Sequence, residues 1–238
     1  MYINFLKLKI NRFFESRKIL KLKYYIHKFF REKDIGDLGF NFDDKPNRSE
    51  IIQSIIDFKK YRSFLEIGSF SNELFNKVKI DNKVGVDPVS GGTIRMTSDE
   101  FFKKNKEFFD LIFIDGLHHY DQVKKDINNS LNILTNGGVI LLHDCLPSNV
   151  FDQAVPRCTY KWNGDVWKAI VEARCRADID TYTCYADNGI GIILKRSNRN
   201  ILNLNTTNFN KLKFKDYYNN YQSYMNIVNH ESLLKLLD

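Results

Sequence analysis

Apolar and polar positions follow two alternating periods along the middle of the chain. Short apolar runs bounded by polar residues or glycine predict buried strands, and apolar residues three and four positions apart predict helices. The predicted strands are 62–67, 83–87, 110–115 and 138–143. The predicted helices are 49–60, 71–79, 98–106, 120–135 and 164–176, with N-cap candidates at Asn47 or Ser49 for the first and Ser98 for the third. This alternation is typical of a parallel sheet with helices on both faces.

The last two predicted strands break this pattern. Segments 179–185 and 190–195 are joined by a tight turn through Asp187, Asn188 and Gly189. A connection this short cannot form a parallel crossover, so the final strand must run antiparallel to its neighbour. We therefore predict an α/β fold with a doubly wound sheet that is mostly parallel and ends in an antiparallel hairpin, with helices on both faces.

The pattern outside this core predicts two appendages. Residues 1–47 are expected to form a basic amphipathic helical leader with a linker, residues 48–196 the α/β domain, and residues 197–238 a helical C-terminal cap. The apolar face of the leader is expected to dock on the body or on a second subunit, which would give a homodimer. Two alternatives stay open for residues 1–33, namely contact with an anionic membrane surface and contact with nucleic acid.

Charge and composition narrow the protein class. The chain has 238 residues and a formal net charge of +7, and residues 1–33 hold ten Lys and Arg against two Glu, which leaves −1 for the rest. A nucleic-acid enzyme more often spreads positive charge over its catalytic face, so nucleic acid is an unfavoured partner. The sequence has no long apolar run, no signal-peptide pattern and no CxxC pair among its four cysteines. We expect a cytoplasmic protein, with peripheral membrane contact left open.

Acidic residues end four of the predicted strands: Glu66, Asp87, Asp115 and Asp144. The carboxyl ends of parallel strands are where such sheets bind ligands, although Asp and Gly are also common in ordinary turns. Asp87 is placed to bind a ribose diol, and Gly68 permits close approach of a ligand. The GxGxxG pattern that cradles a pyrophosphate is absent. The pattern favours S-adenosylmethionine over a nicotinamide dinucleotide.

Five segments carry a family resemblance: LEIGSFS, VGVDP, MTSDEFF, FDLIFIDGLHHYDQVKKDI and GGVILLHDCLP. In this order and spacing they resemble the class I S-adenosylmethionine-dependent methyltransferases. More narrowly, they resemble the small-molecule and sugar O-methyltransferase branch, with its macrolide, aminocoumarin and catechol-type relatives. The resemblance covers about residues 48–196 and implies a Rossmann-like, seven-stranded sheet. It also implies a methyltransferase that acts on a sugar or another small acceptor of glycan or polysaccharide biosynthesis.

The resemblance implies a set of site residues. The implied cofactor residues are Glu66, Gly68 and Ser69 in the first motif, Asp87 for the ribose, Ser98 in the adenine loop, and Asp115 at the amino-acid end. Asp115 and Asp144 match ligands of Mg²⁺ or another divalent metal in the metal-dependent members. His118 falls where catechol-type enzymes carry a catalytic lysine.

Two departures from the family pattern matter for these roles. Asn72 stands where a second glycine is usual, and Asn tolerates left-handed backbone better than most residues. Cys145 occupies the usual position of a third metal ligand, so Asp115 and Asp144 would hold Mg²⁺ weakly. His118 or His143 would instead favour a softer ion.

Methyl transfer to a hydroxyl needs an oxygen aligned with the methyl carbon and a group that takes the proton. His118 is the first candidate for this base, His143 the second, and Asp115 would serve if a metal orients the hydroxyl. Residues 146–163 are expected to form a lid, in which Arg157, Tyr160, Lys161 and Trp162 would bind a sugar, sugar phosphate or nucleotide sugar. The alternatives are a nucleic-acid methyltransferase with a basic arm, and a non-catalytic cofactor-binding protein.

Overall fold

A computed structural model of the protein describes residues 17–237. The helices are α1 (Arg17–Phe30), α2 (Arg48–Lys59), α3 (Glu73–Lys77), α4 (Ser98–Lys104), α5 (Tyr120–Ile133), α6 (Val166–Arg174), α7 (Phe214–Met225) and α8 (Leu233–Leu236). The strands are β1 (Ser63–Ile67), β2 (Asn82–Val86), β3 (Phe109–Ile114), β4 (Leu134–Leu142), β5 (Asp180–Cys184), β6 (Ile190–Leu194) and β7 (Ile227–Val228). Two short 3₁₀ turns, Phe209–Lys211 and His230–Ser232, flank α7 and α8.

The strands form one sheet in the order β2-β1-β3-β4-β6-β5-β7. Strands β1 to β4 are parallel, whereas β6 runs antiparallel to both β4 and β5. The chain moves outward from β1 to β2 and then returns to the other side with β3, so the topological switch point lies between β1 and β3. The predicted Rossmann-like, seven-stranded sheet with an antiparallel hairpin is confirmed.

The seventh strand comes from the tail. Strand β7 pairs in parallel with β5 through Thr183 and Cys184, while Leu233 and Leu237 are buried against the same face of the sheet as α2. Helix α7 packs on α6, where the ring of Tyr217 lies 5.0 Å from that of Trp167. The segment expected as a helical cap therefore also extends the sheet.

Alternating side chains divide the core into two layers. In β1, Phe64 packs on the α2 side with Ile52 and Ile55, whereas Leu65 packs on the opposite side with α5 and α6. These central strands are buried on both faces, as expected for a parallel sheet between two helical layers.

The helix caps agree only in part with the sequence prediction. Asn47 caps α2 in a capping box with Glu50, as one of the two candidates predicted. Ser98 was predicted to cap the next long helix, and this is wrong, because Thr97 is extended and its hydroxyl accepts the hydrogen bond from the Glu100 backbone N–H. Ser98 is already the first helical residue.

Helix α1 is the described part of the leader. It contacts the body through Leu20, Tyr24 and His27, with the ring of Tyr24 4.5 Å from that of Phe151. The predictions for residues 1–16 lie outside the described residues. Within residues 17–237, none of the helices is long and apolar enough to cross a membrane.

Candidate functional site

A cavity of about 610 Å³ opens at the carboxyl ends of β1, β2 and β3, beside the switch point. Its lining comes from the strand ends, the start of α4, the start of α5, the lid and α1. The lining residues are Leu20, Lys23, Ile67, Gly68, Val86, Asp87, Pro88, Thr97, Ser98, Asp99, Gly116, Leu117, His119, Gln122, Pro156, Arg157, Tyr160 and Trp162. The position is the one at which open α/β sheets bind ligands.

The end of β1 needs a glycine. Gly68 has a φ of +98°, and a Cβ atom there would collide with the backbone carbonyl of Asp115 at the end of β3. A glycine at this position lets the two strand ends approach closely. Asn72 takes up the left-handed conformation expected for it, with a φ of +63°, and its side-chain oxygen accepts a hydrogen bond from the Gly92 N–H.

Asp87 lines the cavity, but its carboxylate is buried and bonded to backbone. One oxygen accepts from the N–H groups of Val89 and Ser90, at 2.7 and 2.9 Å, and the other from that of Phe70, at 3.1 Å. The guanidinium of Arg95 lies 3.9 Å from the Asp87 carboxylate. Asp87 thus orders the loops after β1 and β2, and its direct contact with a ribose stays a prediction.

Ser98 lies at the opposite wall, beside a residue that the sequence reasoning missed. The Gln122 side-chain nitrogen lies within hydrogen-bond distance of Ser98 Oγ, at 3.2 Å, and of Asp99 and Asp126 oxygens, at 3.0 Å each. Burial raises the pKa of Asp126 to about 6. These side chains place hydrogen-bonding groups at this wall of the cavity. The sequence carried a signal for Gln122, since it lies in the first turn of the helix that follows β3.

Four titratable side chains meet beside the cavity, at the ends of β3 and β4. His118 Nε2 lies 3.1 Å from Asp115 Oδ1, and His118 Nδ1 lies 3.3 Å from Asp144 Oδ2. His143 Nδ1 is 3.4 Å from Asp115 Oδ1 and 3.3 Å from Asp144 Oδ2. All are buried or half-buried, and none of the four is part of the cavity lining.

The carboxylates of this cluster control its protonation. Burial favours the neutral imidazoles, but the hydrogen bond with Asp115 and the charge of Asp144 outweigh it and raise the pKa of His118. The charges of Asp144 and Asp115 likewise outweigh burial and raise the pKa of His143 well above its usual value. Burial would raise the pKa of Asp115, yet the charge of His143 and the hydrogen bond of His118 hold that pKa well below its usual range. The carboxylates thus favour the imidazolium forms, and the histidines favour the ionised form of Asp115.

His119 behaves differently from these two histidines. Its ring lines the cavity, and burial lowers its pKa, so the imidazole is neutral near pH 7. His119 is the residue that immediately precedes α5. The lid covers that helix start, which gives His119 its half-buried position.

A surrounding shell holds the cluster in place. His143 Nε2 contacts Asp187, at 3.1 Å, and the Asp187 carboxylate also accepts a hydrogen bond from the backbone N–H of Arg48. Asn163 donates to Asp144 at 3.2 Å. Asp187 was predicted only as a turn residue, and the antiparallel pairing of Leu142 with Gly191 is what brings that turn next to the end of β4.

Asp115, His118 and Asp144 are suited to hold a metal ion. One ligand atom from each lies within 4.8 Å of the others. His118 Nδ1 is 3.3 Å from Asp144 Oδ2, but among the described residues it has no partner in hydrogen-bond geometry. Two carboxylates suit Mg²⁺ or Mn²⁺, whereas the imidazole of His118 favours a softer divalent ion. Cys145 does not join them, because its thiol is buried toward the core and burial raises its pKa to about 12.

The lid separates the cluster from the cavity. The ring of Trp162 stacks on that of His118 at 5.1 Å, and the Arg157 guanidinium lies 5.8 Å from the Trp162 ring. Arg157, Tyr160 and Trp162 line the cavity, and their contact with an acceptor stays a prediction. Lys161 does not, because it pairs with Asp152 at 3.5 Å outside the lining.

Two of the predicted cofactor residues lie behind the cavity wall. Glu66 and Ser69 are both buried and outside the lining. Burial and the nearby charge of Asp115 raise the pKa of Glu66 to about 7. Of the predicted cofactor residues, three line the cavity, namely Gly68, Asp87 and Ser98. The other three lie outside its lining, namely Glu66, Ser69 and Asp115.

Comparison with known proteins finds one similarity at the level of a family model. Residues 53–145, somewhat under half of the chain, match the family model described as a methyltransferase domain. No curated protein sequence matches the chain. Residues 53–145 are therefore similar to a methyltransferase domain.

Solved structures resemble the chain at low identity. The O-methyltransferase from Bacillus cereus, in complex with SAH, is 12% identical over 76% of this chain and 100% of its own, with a TM-score of 0.47. The O-methyltransferase TomG from Streptomyces achromogenes, involved in tomaymycin synthesis and in complex with SAM, is 14% identical over 80% and 95%, with a TM-score of 0.48. An SAH-bound methyltransferase from Podospora anserina is 18% identical over 77% and 97%, with a TM-score of 0.45.

Proposed function

We propose that this enzyme transfers the methyl group of S-adenosylmethionine to a hydroxyl of a sugar, sugar phosphate or nucleotide sugar. The observation that carries the proposal is the cluster of Asp115, His118 and Asp144, which adjoins a cavity large enough for a nucleoside. Such a cluster would hold a divalent metal, which would lower the pKa of an acceptor hydroxyl whose proton must leave as the bond to carbon forms.

The cavity wall supports a direction for the cofactor. Gly68 and Asp87 form one side, Ser98 and Gln122 another, and Gly116 leads from the cavity toward the cluster. We place the nucleoside between Asp87 and Gln122, with its reactive end toward Asp115. An acceptor oxygen would then have to lie about 3 Å from the methyl carbon and in line with the departing sulfur.

Two groups can assist the loss of the hydroxyl proton, one by accepting it and the other by lowering the pKa of the hydroxyl. The carboxylates of Asp115 and Asp144 raise the pKa values of His118 and His143, which favours the imidazolium forms and makes each histidine a weaker candidate for the base than a neutral imidazole. His119 is neutral and lines the cavity, which makes it the better-placed proton acceptor. A divalent metal on Asp115, His118 and Asp144 would lower the pKa of a bound hydroxyl.

The lid supports an anionic acceptor. Arg157 and the phenol of Tyr160 reach the cavity from the lid, and Lys23 reaches it from α1. Cations beside an aromatic ring suit a sugar that carries phosphate. Lys161, which was expected to share this role, is held elsewhere by Asp152.

The test measures methyl transfer to a panel of sugar phosphates and nucleotide sugars, with and without added Mg²⁺ or Mn²⁺. We expect a methyl ether product and a loss of about a hundredfold or more in kcat for Asp115→Asn, because positioning and charge at the reacting oxygen are removed. Asp121→Asn, on the exposed first turn of α5, is the matched control and should keep activity within about twofold. Unchanged activity of the Asp115 variant would contradict the proposal.

A further inference from the structure

Helix α1 turns its larger apolar face away from the rest of the described residues, 31–237. Its exposed apolar side chains are Ile19, Leu22, Tyr25, Ile26, Phe29 and Phe30. They recur at helical spacing on one side of the helix, whereas Leu20, Tyr24 and His27 face the body. Phe29 and Phe30 are 68% and 80% exposed. A soluble protein rarely exposes so continuous an apolar surface unless it binds something.

The exposed face has a basic border. Arg17, Lys21 and Lys28 recur along one edge of the helix, and Lys18 lies within the apolar face, between Tyr25 and Phe29. Residues 17–33 contain seven Lys and Arg and one acid, Glu32. A helix with aromatic and aliphatic residues on one face and lysines beside them has the composition of helices that lie in a membrane interface.

The single acid of this segment is used to anchor the helix to the body. Glu32 accepts hydrogen bonds from the Gln153 side chain and from the backbone N–H of Phe214. The anchoring therefore removes the only negative charge between residues 17 and 33 from the outer surface. What remains outside is apolar and positive, which is complementary to an anionic bilayer surface and repels a second copy of the same face.

We propose that the outer face of α1, defined by Ile19, Leu22, Tyr25, Ile26, Phe29 and Phe30 with its lysine border, docks the enzyme on an anionic membrane surface. The apolar side chains enter the boundary between headgroups and acyl chains, and the lysines contact the anionic headgroups. Because Leu20 and Lys23 of the same helix line the cavity, a docked enzyme holds that cavity next to the bilayer. The docking itself does not depend on the proposed acceptor.

The test is sedimentation of the full chain with vesicles. Vesicles of phosphatidylcholine with about 30 mol% phosphatidylglycerol should bind the protein at least about tenfold more tightly than vesicles of phosphatidylcholine alone, and salt should weaken the binding. Leu22→Gln with Phe29→Gln should reduce binding by about threefold or more, because two apolar side chains no longer enter the interface. Both residues lie outside the cavity lining.

The matched control is Phe58→Gln with Phe108→Gln, which removes two exposed apolar side chains on other elements and should leave vesicle binding unchanged. Equal binding to neutral vesicles, no binding to anionic ones, or a change below threefold in the α1 variant would overturn the proposal. So would a dimer, measured by light scattering, that the α1 variant dissociates while vesicle binding is absent. Calorimetry with S-adenosylmethionine, done in parallel, reports on the proposed function separately.

Discussion

At the scale of single residues, the site depends on a few side chains whose surroundings change their chemistry. The same residue type takes opposite states within a short distance. His118 has a raised pKa beside two carboxylates, and His119 has a lowered pKa beside the cavity. Sequence alone could identify the histidines and acids but not this difference, because each pKa depends on burial and on partners from other strands.

Gly68 gives a direct test of the close contact between β1 and β3. Gly68→Ala should lower the free energy of unfolding by a few kcal/mol and abolish cofactor binding, since a Cβ at this φ collides with the Asp115 carbonyl. Chemical denaturation and calorimetry measure the two effects. Gly137→Ala is the control, because Gly137 also has positive φ but faces open space, and only about 1 kcal/mol is expected there. Equal costs for the two substitutions would contradict the account.

The raised pKa of Glu66 leads us to predict that the free energy of unfolding depends on pH. Its pKa in the folded protein is raised to about 7, above the unfolded value, so the stabilisation is complete at low pH and is lost as the pH rises toward and through 7. Glu66→Gln should flatten this dependence and be more stable than wild type at pH 8 by on the order of 1–3 kcal/mol. Denaturant titrations at pH 5 and pH 8 measure it. The exposed Glu73→Gln should keep the wild-type slope, and a Glu66 variant that also keeps it would refute the assignment.

At the scale of elements, the hydrophobic pattern was sufficient to predict most of the fold. The helices and strands from α2 to β6 lie within a few residues of their predicted bounds, because buried parallel strands and amphipathic helices leave strong periodic signals. Strand β7 was not predicted, since two residues paired at a sheet edge leave no period to detect. Asp187 was missed as a site residue because its role arises from the register between β4 and β6.

The lid makes a prediction of its own. Trp162→Ala should reduce kcat/KM about tenfold or more with little change in thermal stability, because the ring covers His118 while remaining partly exposed. Trp162→Phe keeps an aromatic surface over His118 and should retain most of the activity. Steady-state kinetics and thermal melts measure these effects. A Trp162→Ala enzyme with wild-type kcat/KM would show that the lid is only packing.

At the scale of the whole molecule, the leader and the tail, which were predicted as appendages, contribute to the sheet and the cavity of the α/β domain. The tail adds β7 to the sheet and buries Leu233, and α1 supplies Leu20 and Lys23 to the cavity. Sequence patterning separated these segments because their composition differs from that of the α/β core. Their docking depends on complementary surfaces, such as the contact of Tyr24 with Phe151, that no single segment reveals.

The central claim is that the cavity beside the switch point binds S-adenosylmethionine. Isothermal titration calorimetry of the full chain with S-adenosylmethionine tests it most directly, without knowledge of the acceptor. We expect one site per chain, with a dissociation constant on the order of micromolar or tighter, corresponding to about −8 kcal/mol. Absence of binding heat at several temperatures, from a chain shown to be folded by circular dichroism, would contradict the account.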